Sequence, residues 1–189
     1  EMSASLVGSE IDKRQTLREL NRLIRENRIQ KTYLCVLTAT PPKQTDILHA
    51  YHWKDAKTNT VTISDHPKAG YREIITEYRV LQQQNGLCLA EITLHTGRTH
   101  QIRAHMAHIH APLAGDSKYG DRRKNESLHL KHQLLCAYQL QFHPEADSCL
   151  AYLNGKTVTA PLPDFDLDSF RHFPAKTENK QKHPSLSLI

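Results

Sequence analysis

The pair Asn85-Gly86 stands between two alternating runs, residues 73–83 with Ile75, Tyr78, Val80 and Leu81 as apolar members, and residues 87–95 with Leu87, Leu89, Glu91 and Thr93 in step. Asn-Gly supplies the two left-handed backbone positions that a tight hairpin turn needs, so this stretch commits the chain to antiparallel strand pairing. The second strand runs into Thr96-Gly97, a turn pair, after which Ile102, Met106 and Ile109 recur at helical spacing. Strand, tight turn and a helix over 99–110 follow. A helix that opens with Arg98, Thr99, His100 and Gln101 turns free backbone N–H groups and polar side chains toward whatever docks there, which favours a phosphate or carboxylate.

Residues 13–27 place Leu17, Leu20, Leu23 and Ile24 on one face among Arg14, Arg18, Glu19, Arg22, Arg25 and Glu26, a surface helix of about four turns. A strand over 29–38 ends at Pro41-Pro42. Short strands over 47–53 and 58–64 flank the turn-forming Lys54-Asp55-Ala56-Lys57. Beyond Pro112, Gly115-Asp116 and Gly120-Asp121 mark loops, and Arg122-Arg123-Lys124-Asn125 reads as an exposed basic tip. A strand over 134–142, a hairpin of 149–153 with 157–160 around Asn154-Gly155, and a short helix over 165–173 complete the pattern; residues 1–11 carry no clear period. Strands outnumber helices without regular alternation, so the expected class is α+β: a mixed, largely antiparallel sheet with a few flanking helices. One domain over 1–173 is expected, with the polar, lysine-rich 174–189 as a disordered tail.

The formal net charge is +5, and basic residues cluster at 13–31, 98–103, 118–124 and 171–182, which fits a polyanionic partner. Four cysteines, Cys35, Cys88, Cys136 and Cys149, lie far apart with no Cys-x-x-Cys pair, and no apolar run reaches a membrane span. They read as reduced thiols of a cytoplasmic protein. His95, His100, His105, His108 and His110 invite a metal-hydrolase reading, but no His-Glu-x-x-His motif and no cysteine at ligand spacing accompanies them.

The run Gly97-Arg98-Thr99-His100-Gln101-Ile102-Arg103-Ala104-His105 closely resembles the GRTHQIRxH signature of RluA-type pseudouridine synthases. Gly115-Asp116 through Tyr119-Gly120, Lys31-Thr32-Tyr33 and the 134–163 region match further motifs of that family in order. The resemblance spans roughly residues 12 to 166 and implies a central RNA-binding cleft, ribosomal or transfer RNA as partner, no cofactor and no metal. The implied activity detaches uracil from its ribose, turns it and rejoins it through carbon. Such chemistry needs a carboxylate beside the sugar, a pocket for the loosened base and a cation to aim the carboxylate.

By resemblance Arg103 is the arginine that pairs with the family's aspartate, and Tyr33 is the tyrosine that packs on the target base. Lys31 reaches phosphate or holds the pocket. Arg98, Thr99, His100 and Gln101 shape the loop or grip RNA backbone, with Arg98 foremost, while Asp116, Lys118 and Tyr119 buttress the cleft. The family's His-Arg-Leu-Asp motif is absent. Its aspartate stands roughly thirty residues before the tyrosine, which falls at the first residues here, where Glu1 is the only carboxylate. The expectation is therefore a catalytic domain incomplete at its N-terminal side. An RNA-holding remnant that does not isomerise is the alternative.

Overall fold

The computed structural model describes residues 13–163 and 165. Glu1, the 1–11 segment, the 165–173 helix beyond Phe165 and the 174–189 tail lie outside the described residues. The elements run α1 (Lys13–Arg25), β1 (Ile29–Leu37), β2 (Thr45–Asp55), β3 (Thr60–Ser64), β4 (Arg72–Gln84), β5 (Leu87–Leu94), α2 (Gln101–His108), α3 (Arg122–Ser127), β6 (Leu135–Phe142), a single 3-10 turn (Ala151–Leu153) and β7 (Thr157–Thr159). The strands form one sheet in the order β3-β2-β4-β5-β1-β6-β7. Every pairing among them is antiparallel, so the α+β class holds.

Asn85 and Gly86 adopt φ of 53° and 75°, the mirror-image turn that matches strand twist, and they set Gln84 opposite Leu87. β5, the fourth of the seven strands across the sheet, then pairs along β1, whose other edge is taken by β6. Cys35 and Leu37 of β1 share a buried cluster with Ile102 and Met106 of α2, and Ile29 shares another with Leu23 of α1, Phe142 and Leu150. Because side chains alternate along a strand, Ile29, Lys31, Tyr33, Cys35 and Leu37 all look to one face. Lys31 and Tyr33 therefore occupy the stretch of β1 between the two packed clusters. Leu34 and Val36 look the other way, onto Leu87, Leu89, Ala114 and Phe165.

The register of β1 with β6 shifts where Thr32 faces Gln139 and Tyr33 faces Ala137, leaving Tyr138 as an extra residue opposite the Thr32–Tyr33 step. The bulge lets Leu135 and Phe142, an odd number of steps apart, both look toward the helices, Leu135 beside the α2 cluster and Phe142 in the α1 cluster.

Four local expectations are corrected. α2 begins at Gln101 rather than residue 99, because His100 holds the left-handed φ of 53° and keeps Arg98–His100 in the turn. On α1 only Leu23 is buried, while Leu17 and Ile24 are 60% and 45% exposed, so the helix docks by one edge of its apolar face. The basic tip at 122–125 is the helix α3, capped by the Asp121 carboxylate accepting from Lys124 N–H at 3.2 Å, with Asn125 buried. Residues 149–153 are not a strand: i to i+3 bonds from Ala151 to Ser148 and from Leu153 to Leu150 curl them, Leu150 is buried, and β7 pairs with β6 instead.

Candidate active site

The loop between β5 and α2 is held by one buried amide. Gln101, 2% exposed, accepts from Thr96 Oγ1 and from Arg98 N–H, each at 3.0 Å. Its Nε2 donates to the Ile75 carbonyl at 3.1 Å and to Thr76 Oγ1 at 3.0 Å. With both ends of the amide engaged inside the protein, Gln101 sets the loop's shape rather than reaching outward. His52 of β2 adds a second tie, Nε2–H to the Thr99 carbonyl at 2.9 Å. Thr99 thus contributes its main chain, and its side chain stays exposed. Lys31 Nζ lies 3.4 Å from where a Cβ on Gly97 would stand, so glycine there lets the ammonium rest against the turn.

Arg103 makes a two-pronged pair with Asp116, Nε to Oδ2 at 2.7 Å and Nη2 to Oδ1 at 2.8 Å. The arginine side chain is 15% exposed and the carboxylate fully buried. Asp116 Oδ1 also accepts from the backbone N–H of Lys118 and Tyr119. Burial alone would raise the pKa of Asp116; Arg103 and those two N–H groups overcome it, and the net shift is downward. Hydrogen bonding to Asp116 in turn raises the pKa of Arg103, so the guanidinium stays charged. It lies over the Tyr119 ring, 5.3 Å from the centroid.

Tyr119 knots three segments together. Its oxygen accepts from Val61 N–H at 2.9 Å and sits 3.0 Å from His100 Nδ1. Burial, then the cations Arg103, Lys118 and Lys54, press the His100 pKa downward, so the imidazole is neutral, and its Nδ1 hydrogen-bonds the phenol oxygen. The sequence reading reserved Arg103 for an aspartate outside this motif and missed that Asp116 already holds it. Only a fold that brings the 115–119 loop under α2 reveals the pair.

Tyr33, Arg98, His100, Ile102, Arg103 and Leu135 line one hollow of about 270 Å³, with Leu94, Gln101 and Gln133 completing its wall. Tyr33 forms a half-buried floor, and desolvation raises its pKa, so the phenol keeps its proton at neutral pH. Of the residues singled out from sequence, Tyr33, Arg98, His100, Gln101 and Arg103 therefore meet in one place; Lys31 and Thr99 stand at its margin. No aspartate or glutamate among the described residues lines it. A wider hollow of about 590 Å³ beside α1 lies away from these residues; it has no aromatic wall, and its Glu19 is already paired with Arg22.

The histidines diverge rather than converge: His95 bonds Glu77, His100 bonds Tyr119, His105 bonds Thr76 and His108 bonds Asp65. Among the described residues no group of three or more His, Cys, Asp or Glu is placed to hold a metal ion.

His105 is 1% exposed and its Nδ1 lies 2.9 Å from Thr76 Oγ1, which takes its own hydrogen bond from Gln101 and so points its proton at the imidazole. Burial, then His108 and His49 across from it, push its pKa down to about 4, with Asp65 opposing. The unfolded chain takes up this proton below about pH 6.5 while the folded protein resists until about pH 4, so stability falls as pH drops through that window. The expected contribution is about 3 kcal/mol. Urea unfolding at pH 7 and pH 4.5 checks this: His105→Gln flattens the difference, and an unchanged difference in that variant would assign the pH dependence elsewhere.

The fold is that of pseudouridylate synthase domains. The human RNA pseudouridylate synthase domain containing 1 superposes with a TM-score of 0.62 at 22% identity, over 82% of this chain and 62% of that one. The sequence model described as RNA pseudouridylate synthase matches residues 12–108, and the chain belongs to that family. Among its relatives, an uncharacterized RNA pseudouridine synthase of Chloroflexus aurantiacus is 34% identical over 150 residues, covering 79% of this chain and 44% of the relative. The ribosomal large subunit pseudouridine synthase C of Buchnera aphidicola is 32% identical over 160 residues, covering 79% and 47%. The chain thus spans less than half the length of these curated relatives.

Proposed function

We propose that this chain carries the base-holding half of an RNA pseudouridine synthase site and that it serves isomerisation of uridine in ribosomal or transfer RNA, in the cytoplasm and without a cofactor. The observation that carries the reading is the hollow shared by Tyr33 and Arg103 on the family's signature loop. Tyr33 offers a flat face to an extruded uracil, since an aromatic floor suits any base taken out of its stack. Arg98, exposed at the rim, takes the flanking phosphate. Arg103 has Nε and Nη2 fixed by Asp116, and its Nη1, with no partner among the described residues, addresses a carboxylate that enters the hollow. That carboxylate comes from outside the described residues. Ribosomal RNA is favoured by the relatives named as large-subunit synthases. The four thiols, all free, agree with a reducing compartment.

A second reading draws on the hollow's lining, which has no acid among the described residues: a module that grips RNA without isomerising it. Release of tritium from RNA labelled at uridine carbon 5 separates the two. In the encoded protein, turnover is expected, with Arg103→Ala lowering it roughly 100- to 1,000-fold, as for loss of one aligned charge donor. Tyr33→Phe keeps the ring and most of the rate, whereas Tyr33→Ala loses both base packing and rate. Binding without release of tritium establishes the second reading, and full activity of Arg103→Ala overturns the role given to that arginine.

A further inference from the structure

At the β2–β3–β4 end, one face of the sheet carries no helix among the described residues. Alternation along β2 sends the buried Ala50 and His52 toward the α2 side and leaves Tyr51 and Trp53 on the other. Trp53, the chain's single tryptophan, is 41% exposed. Its ring stacks near-parallel on Tyr71, centroids 6.3 Å apart at 22°. Lys68 Nζ lies 5.6 Å from the Tyr71 centroid. Gly70, at φ +80°, brings the 65–71 loop against Trp53, with the position of a Cβ there 3.9 Å from the indole Cδ1.

The face suits a nucleobase better than a protein or a bilayer. Two parallel rings with a cation at their edge form a stacking surface that any unpaired base can join. Lys68 beside the Tyr71 ring and Lys57 in the turn between β2 and β3 supply positive charge of the kind a phosphate chain requires. Of the nearby carboxylates, Asp55 is engaged with Lys57 N–H and Thr58 Oγ1, and Glu73 stands 3.9 Å from His49, an ion pair when that imidazole is protonated. His49, more than half exposed, stands between the rings and the exposed Ile47 farther along this face of β2, and Glu73, also more than half exposed, stands opposite Tyr51.

The platform adjoins the candidate site. His52, the residue before Trp53, holds the Thr99 carbonyl of the signature loop, and Lys54, the residue after, acts electrostatically on His100. We propose that Trp53 and Tyr71, flanked by Lys68, bind an unpaired base of the RNA strand outside the target nucleotide, as the strand leaves the hollow around the β2–β3 edge. This rests on the RNA reading above and adds to it a single-strand contact on the opposite face of the sheet.

Because Trp53 is the only tryptophan, its fluorescence reports this position alone. An oligouridylate of about ten nucleotides, long enough for such a site, quenches it saturably, less so as salt rises, while duplex RNA leaves it unchanged. Anisotropy of the labelled oligomer then measures affinity without the indole: Trp53→Ala weakens binding roughly 10-fold, within the range for loss of one stacked base. In the same assay Trp53→Phe stays within about 3-fold of the parent, since a ring is retained. Unaltered circular dichroism in each variant shows that the sheet is intact. Equal affinity of Trp53→Ala and the parent overturns the platform; if Arg98→Ala weakens binding in that same experiment, the RNA reading survives its loss. Absence of any RNA affinity in the parent overturns both, and quenching that depends on protein concentration alone assigns the face to a second copy of the chain.

Discussion

Asp116→Ala lowers folding stability by about 3 to 5 kcal/mol, the cost of removing one partner from a buried ion pair. The carboxylate is fully buried, and it satisfies two arginine N–H groups and two backbone N–H groups together. Alanine leaves all four donors facing an empty space behind α2. Asn restores one neutral acceptor without the charge, so Asp116→Asn falls between the two. Denaturant unfolding reads the difference directly, and a loss below about 1 kcal/mol would mean that water substitutes for the carboxylate. The same variants detach Arg103 from its support, so tritium release falls with them even where the fold survives at low temperature. Acid acts in the same direction: the Asp116 pKa is depressed in the folded protein, so its contribution is complete above the ordinary carboxylate value and is lost as pH falls through the lowered one.

Gly115→Ala is expected to cost about 3 kcal/mol, combining a left-handed backbone with steric overlap. Gly115 holds φ of 76°, and a methyl group there lands inside the backbone carbonyl of His132. The neighbouring strand start cannot give way without pulling on its own ladder, because Ala114 O accepts from Leu134 N–H and Ala114 N donates to Val36 O. Gly86→Ala provides the comparison. It shares the positive φ, at 75°, but meets open space, so its loss is limited to about 1 to 2 kcal/mol. If the two variants lose the same stability, the overlap is relieved by movement and the 115–119 loop is softer than its contacts imply. Displacing that loop carries Asp116 with it, so thermal melts and RNA turnover are expected to fall together in Gly115→Ala and to separate in Gly86→Ala.

What was legible in the sequence was local. Asn85-Gly86 encodes its own turn, and alternation on both sides locates β4 and β5 almost to the residue. The signature loop was recognisable as a pattern, and Arg98, His100 and Arg103 line one hollow with Tyr33. Choices settled by distant partners were not legible. The true start of α2 depends on Gln101 reaching back to β4. The burial of Asn125 depends on its amide bridging Gly115 N–H and the Asp116 carbonyl. The exposure of Leu17 depends on how little of α1 the sheet covers, and β7 exists only because β6 offers it an edge. Nothing in the spacing of Arg103 and Asp116 announces that they touch, since the residues between them cross a helix end and a loop.

The extra residue in β6 makes the parity of that strand a shared constraint on two otherwise separate parts of the molecule. Its leading half is phased to the α2 side and its trailing half to the α1 side, and Tyr138 is the hyphen between them. A lineage that trimmed one residue here would leave Leu135 and Phe142 six positions apart, in phase on a regular strand, and would lose the bulge opposite Thr32–Tyr33 instead. Length variants of β6 are therefore expected in two sets, those changed by an even number that keep the bulge and those one residue shorter that pair with β1 without it, and a survey of natural sequences can read that division without any biochemistry.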